Sequence, residues 1–282
     1  MIIDAHQHFW QLANPFCIWP TAAEAAIHRD FMPDDFAPLA NTHAVSGTVL
    51  VQAAPDMAET NFMLSIADRS PLVRGVVGWV DMEARSAPLD VRHFATHPRF
   101  RGIRPMLQSI ADPLWMLNAH FDDVYRELIA LDLSFDALVM PAHLEALCVL
   151  AARYPALRII IDHGAKPQIA KGMKDPEGFA GWAPAMERFA SFKNVSCKLS
   201  GLLTEAGPDA SSRDLRPYLD HMFNVFGPDR LMWGSDWPVV NLAGDYERWI
   251  DICAAWLSDH STDTRRLIWG ETAARLYRLT EV

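Results

Sequence analysis

The chain begins Met1-Ile2-Ile3-Asp4-Ala5-His6-Gln7-His8, an apolar run ending in His-x-His. Far downstream, Arg230-Leu231-Met232-Trp233-Gly234-Ser235-Asp236-Trp237-Pro238 is a second short apolar run, and it ends in an aspartate. Side chains alternate faces along an extended strand, so His6 and His8 project to the same side. In a closed parallel barrel the first and last strands are neighbours, and two imidazoles and a carboxylate then converge at one mouth. Such groups suit hydrolysis: imidazoles that hold a cation or polarise a carbonyl, beside a carboxylate that can take a proton from water.

Eight β-like runs can supply the frame: residues 1–5, 46–52, 73–80, 100–106, 133–139, 157–162, 194–198 and 230–234. Most are continuous apolar stretches rather than alternating ones, as expected when both faces of a parallel sheet are buried. Helical patterns fill most of the gaps. Asp56-Met57-Ala58-Glu59 reads as a variant of the capping box, followed by Ala58, Phe62, Met63 and Ile66 at helical spacing. Val124, Leu128 and Leu131, and Leu144, Leu147, Cys148 and Ala151, repeat the same period. Further helices are expected at 176–190, 211–226, 245–257 and 264–277. Strands alternating with helices predict a single-domain (β/α)8 barrel spanning residues 1–282. A doubly wound open sheet is the alternative, but no GxGxxG marks a ligand crevice. Residues 8–33 and 164–176, the latter with Lys166, Lys171 and Lys174, read as long loops over the mouth, where barrels carry function.

The strand ends then give the contents of the mouth. Strand 1 offers His6 and His8, strand 2 Gln52, strand 3 Trp79 and Asp81, and strand 4 Arg104. Strand 5 offers little, since Asp136 lies mid-run. Strand 6 offers Asp162 and His163, of which Asp162 is expected to point away and only support structure. Strand 7 offers Lys198, and strand 8 Asp236 and Trp237.

This combination resembles the amidohydrolase superfamily, in the branch of metal-independent or single-metal lactonases and related decarboxylases. Ile3-Asp4-Ala5-His6-Gln7-His8-Phe9-Trp10, Gly102-Ile103-Arg104, Ile161-Asp162-His163 and Trp233-Gly234-Ser235-Asp236-Trp237-Pro238 carry the resemblance from the first strand to the last. Within that branch the segments are most similar to sugar lactonases of the L-fucono-, L-rhamnono- and galactono-lactone type. Binuclear members carry a bridging lysine or glutamate on strand 4 and a histidine on each of strands 5 and 6. Here strand 4 ends in Arg104 and only strand 6 supplies a histidine, His163, so a two-metal site is not expected. One divalent ion, zinc first, held by His6, His8 and Asp236 with His163 as a further ligand, and a site with no cofactor are both compatible with the sequence.

The resemblance implies a lactonase, a carboxylic ester hydrolase of carbohydrate metabolism. Asp236 would be the general base; the plain alternative is a carboxylate capping the following helix. His6, His8 and His163 would bind a metal or hold the lactone carbonyl, rather than serve as core histidines. Arg104 and Lys198 would bind substrate oxygens or stabilise the oxyanion, the alternative being internal ion pairs with Asp81 or Asp136. Gln52 is a further substrate-binding candidate. Trp10, Trp79 and Trp237 could form an apolar platform for a sugar ring, although large aromatics more often pack the core. The remaining histidines, such as His93, His97 and His260, read as surface or satisfied groups. No GxSxG appears, and Cys197 should face away from the mouth, so no covalent nucleophile is expected. Two rival readings stand beside the lactonase: a metal-dependent decarboxylase of an aromatic or muconate-type acid, and a barrel that binds a sugar acid without turnover. Stoichiometric divalent metal would keep the decarboxylase in play, and absence of metal would weaken it.

Composition excludes other classes. Net charge is −10 with no basic run, which argues against nucleic acid and anionic membranes as partners. No apolar run is long enough to span a bilayer. The N-terminus lacks a basic n-region, so no secretory leader is expected. Cys17, Cys148, Cys197 and Cys253 are far apart with no CxxC, as in a reduced cytoplasmic protein. A C-terminal helix with Leu267, Ile268, Trp269, Leu276 and Tyr277 leaves room for a monomer or a homodimer.

Overall fold

Runs rich in valine and isoleucine, buried on both faces, form eight strands in the computed structural model, which describes residues 1–279. They are β1 (Ile2–Gln7), β2 (Val45–Val51), β3 (Val73–Gly78), β4 (Phe100–Ile103), β5 (Ser134–Ala137), β6 (Arg158–Ile161), β7 (Val195–Leu199) and β8 (Leu231–Trp233). All pair parallel in sequence order. The ring closes past the end of β8. There the Asp236 amide donates to the His6 carbonyl and the His8 amide to the Trp237 carbonyl, each at 2.8 Å. This is the expected (β/α)8 barrel.

Helices pack outside: α1 (Pro33–Thr42), α2 (Met57–Arg69), α3 (Ala87–Ala95), α4 (Asp122–Ala130), α5 (Leu144–Arg153), α6 (Phe179–Glu187), α7 (Leu202–Ala206), α8 (Ser212–Phe226), α9 (Tyr246–Leu257), α10 (Thr262–Arg266) and α11 (Thr272–Leu276). Their starts follow capping chemistry. Asp56 accepts from the Ala58 amide at 2.7 Å, and Ser211 and Asp214 form a capping box. The helix expected over 264–277 is broken by a wide turn at Leu267–Glu271 between α10 and α11. No helix among the described residues is long and apolar enough to cross a membrane.

Two features of the barrel interior position the site. First, Ile3 and Ala5 pack with Val49, Val51, Val77, Ile160 and Met232, and Leu276 and Tyr277 seal this apolar layer from below. Leu276 and Tyr277 therefore serve the barrel's own floor. Second, β1 is bulged: Asp4 pairs with Thr48, but Gln7 pairs with Leu50, so β1 spends one residue more than β2. A bulge re-aims the side chains that follow it. Here Asp4 bonds the Ser235 amide, whereas His6 joins Asp162 and Lys198 inside the barrel.

Candidate active site

Four side chains meet above the apolar layer. The His6 and His8 Nε2 atoms lie 3.2 Å apart. Asp236 Oδ1 lies 3.3 Å from His8 Nε2, 3.7 Å from His6 Nε2 and 3.9 Å from His163 Nε2. Left-handed backbone makes this convergence: His163 has φ +53° and Asp236 φ +60°. Non-glycine residues adopt that region at a cost, and such strain clusters at functional sites. Asp4 ties the two ends of the ring together, its Oδ1 accepting from the His6 amide at 3.2 Å and the Ser235 amide at 2.8 Å. Burial pushes the Asp4 carboxyl up to about 7.

The left-handed turn at His163 also corrects the expectation for Asp162. Simple alternation sends neighbouring residues to opposite faces, but the turn folds His163 back so that both enter the barrel. Asp162 is fully buried and pairs with His6 Nδ1 at 3.3 Å, Arg104 Nη1 at 3.3 Å and Lys198 Nζ at 2.9 Å. Lys198 bonds Asp136 Oδ2 at 2.7 Å, and the Tyr277 hydroxyl donates to the same oxygen at 2.5 Å. Asp136 is thus part of the interior rather than a silent mid-strand residue.

The electrostatics follow from this packing. Burial, then the nearby Lys198 ammonium, holds His6 well below its ordinary pKa. Burial lowers His163 to about 4 against the opposing pull of Asp236 and Asp162. Both imidazoles are therefore neutral near pH 7. Burial alone would raise Asp236, but the facing imidazoles, His163 foremost, outweigh it and hold the carboxylate below its usual range. Burial likewise opposes ionisation of Asp162, and Lys198 and His6 overcome it. Asp136 is shifted upward, because its burial outweighs Lys198.

The hydrogen bonds restrict the tautomers. His8 Nδ1 faces the Val51 carbonyl at 2.8 Å and must donate, so in that tautomer the Nε2 lone pair faces Asp236. Two acceptors at that separation need a proton or a cation between them. His6 Nδ1 has two partners: it accepts from Lys198 Nζ at 3.1 Å or donates to Asp162. The second arrangement frees its Nε2 lone pair. His163 Nδ1 bonds the Ser200 hydroxyl at 2.9 Å.

His6, His163 and Asp236 offer donor atoms that all lie within 4.8 Å of one another, with His8 Nε2 against two of them. Tetrahedral ligands at ordinary zinc–nitrogen lengths sit about 3.3 Å apart. The observed separations are close to that, and a cation would relieve the facing lone pairs, so the donor set fits one divalent ion.

Above the cluster opens a cavity of about 470 Å³, to which His8, Arg104, His163 and Asp236 contribute. His6 lies just beneath them, fully buried. The other expected binding residues are placed elsewhere. Lys198 is fully enclosed in its ion pairs and does not line the cavity. Arg104 pairs with Asp162 rather than Asp81, and its guanidinium also donates to the Gln52 carbonyl. Gln52 returns a bond from Nε2 to the Arg104 carbonyl at 2.7 Å, so it acts through Arg104. Trp10 is buried with its indole N–H on the Arg29 carbonyl, and Trp237 is packed among Phe9, Phe31 and Phe36. Trp79 is pinned through its backbone to Thr60 and does not line the cavity.

Trp19 instead supplies the aromatic wall, from the loop at 8–33, with Ile18 beside it. Sequence reasoning singled out neither, nor Met106, Leu138 and Thr204, because loop residues carry no periodicity that fixes their direction. Glu59 is a further hidden contributor. The capping-box pattern marked it, but its buried carboxylate reaches the Ala53 and Ala54 amides and shapes the cavity wall at Ala53.

Residues 3–279 match the profile of the family described as Amidohydrolase. A protein of Burkholderia ambifaria named L-fucono-1,5-lactonase is 45% identical over 281 residues, covering 98% of this chain and 95% of that protein. A Burkholderia multivorans protein of the same name is 36% identical, covering 99% and 96%. The fold also superposes on a crystal structure of an amidohydrolase from Burkholderia multivorans with bound zinc, with TM-score 0.92, 35% identity and coverage of 99% of this chain and 100% of that one.

Proposed function

The chain belongs to the amidohydrolase family, and from that premise we propose that it is a sugar lactonase, opening a cyclic ester of a sugar acid with water. One observation carries the reading: an ionised Asp236, held among neutral imidazoles and beside Arg104, lies at the foot of a cavity of about 470 Å³. That arrangement suits attack of water on an ester carbonyl. Ser200 bonds His163 as a catalytic serine would, but it is fully buried and does not line the cavity, so it positions the ring instead.

Asp236 takes a proton from the attacking water as its oxygen adds to the lactone carbonyl. The Arg104 guanidinium, fixed by Asp162 and the Gln52 carbonyl, stabilises the tetrahedral oxyanion. Collapse breaks the bond to the ring oxygen, and the proton held on Asp236 passes to that oxygen. The product is an open hydroxy acid. Zinc or another divalent ion, held by His6, His163 and Asp236 with His8 alongside, would add Lewis-acid polarisation when bound.

The substrate favoured by the named relatives is an L-fucono-1,5-lactone-type ring. The apolar side of the cavity, with Trp19, Met106 and Leu138, suits the C–H edges and methyl carbon of a deoxy sugar. Three buried cysteines and the half-buried Cys17, all free, support a cytoplasmic setting. A pH-indicator assay across 1,4- and 1,5-aldonolactones, with and without chelator, tests the proposal. Rapid hydrolysis of L-fucono-1,5-lactone is expected; silence across the panel refutes it.

A further inference from the structure

We propose that Thr204 is a specificity-determining residue whose hydroxyl binds a ring hydroxyl of the lactone, on a polar wall that it shares with Lys166. The inference rests on the lactonase reading above. The cavity is chemically lopsided. Loops after β1, β2, β4, β5 and β8 contribute Ile18, Trp19, Pro55, Met106, Leu138 and Val239, whereas the loops after β6 and β7 contribute Lys166 and Thr204. Gln108 and Ser109 stand on the β4 side, Ser109 exposed to solvent.

Thr204 Oγ1 is shut off from solvent, yet it has no hydrogen-bond partner among the described residues. A hydroxyl left so carries its desolvation cost uncompensated. Thr204 lines the cavity, and a turn about χ1 exposes the hydroxyl to a group entering it, which then supplies the missing bond. A sugar hydroxyl both donates and accepts, as does threonine, so the pair is satisfied in either direction. Beside it, Lys166 holds Glu205 at 3.0 Å, with φ +49° turning the lysine into this wall.

The same segment also grips the reacting groups. Ser200 bonds His163, and Gly201, at φ +66°, lets the His163 ring pack so closely that a Cβ there would lie 2.5 Å from Nδ1. One short stretch, 200–205, thus fixes His163, presents Thr204 and, through Glu205, holds Lys166. Recognition of the ring hydroxyl is built to a set distance from the carbonyl chemistry. A lactone lacking that hydroxyl leaves Thr204 unpaired, the situation in which binding sites discriminate strongly.

The test uses L-fucono-1,5-lactam, a non-hydrolysable probe, and its mono-deoxy forms, titrated calorimetrically into the full-length wild type, Thr204→Val and Thr204→Ser. Thr204→Val keeps the shape and removes the hydroxyl, and should weaken lactam binding about tenfold. Thr204→Ser should restore most of the affinity. One mono-deoxy lactam should bind wild type and Thr204→Val equally, and so identify the hydroxyl that is read. A natively melting Thr204→Val that binds the full lactam as tightly as wild type overturns the inference, while lactone turnover by wild type still upholds the lactonase. A wild type that neither binds the lactam nor hydrolyses the lactone overturns both.

Discussion

Replacing Lys198 with methionine separates two roles that its sequence position allows. In the structure Lys198 neutralises Asp136 at 2.7 Å and Asp162 at 2.9 Å, with all three side chains fully enclosed. Methionine keeps the apolar stem and removes the charge, leaving two carboxylates whose nearest remaining cation is Arg104, 3.3 Å from Asp162. Breaking a buried pair from one side costs about 3–5 kcal/mol. Unfolding entropy of about 2.1 cal/mol/K per residue over 282 residues is roughly 0.6 kcal/mol/K, so the melting temperature should fall by about 5–8 °C. The deficit should also depend on pH. A carboxylate stripped of its partner has a raised folded-state pKa, so its contribution is present below the unfolded value near 3.9 and is lost as pH rises. The gap between wild type and variant should therefore widen from about pH 5 to about pH 8. Calorimetric melting of both proteins across that range checks it. A variant with unchanged melting temperature and a raised KM would show that Lys198 serves substrate instead, and a deficit indifferent to pH would refute the ion-pair account.

Asp236→Asn should lower kcat/KM by about 10²–10⁴ while melting near wild type, because asparagine tolerates the left-handed φ of +60°; steady-state kinetics with a melting curve decide this, and a rate within tenfold of wild type removes Asp236 as base. The pH profile of kcat/KM should stay level from about pH 5 to about pH 7 and fall only as pH drops toward 4, where His163 takes a proton, since Asp236 remains ionised lower still. An acid limb centred between 6 and 7 would contradict the neutral, burial-lowered imidazoles. Gly201→Ala should cut turnover and stability together, since the new Cβ meets His163 Nδ1 at 2.5 Å on a left-handed backbone. Kinetics and melting that both match wild type would show that His163 tolerates displacement.

The frame was readable because parallel strands buried on both faces leave continuous apolar runs, and each of the eight runs contains or overlaps an observed strand. The strand-end rule likewise brought together His6, His8, His163, Arg104 and Asp236. Alternation by itself, however, would have placed Asp4 on the same face as His6, and the β1 bulge separates them. Neither that bulge nor the left-handed turn at His163, which carries Asp162 inward, has a compositional mark. Lys198 was legible as an inward residue, with an ion pair to Asp136 as one of its two readings; its second partner, Asp162, was not legible, because simple alternation points Asp162 away. Trp10, Trp19, Trp79 and Trp237 look alike in sequence; only loop packing sends Trp19 to the cavity and buries Trp10 and Trp237 behind it.

The seam between β1 and the end of β8 governs the order in which a nascent chain can mature. His6 and His8 leave the ribosome first, whereas Asp162, Lys198 and Asp236, which contact His6, follow much later. Until Trp237 emerges to accept from the His8 amide, β1 is an open edge able to pair with other chains, a hazard for long-range topologies. Tyr277 comes last and supplies the hydroxyl that Asp136 accepts. Ribosome-stalled chains ending before Trp237 should therefore be cleaved readily by protease, and truncations that remove Tyr277 should destabilise the barrel.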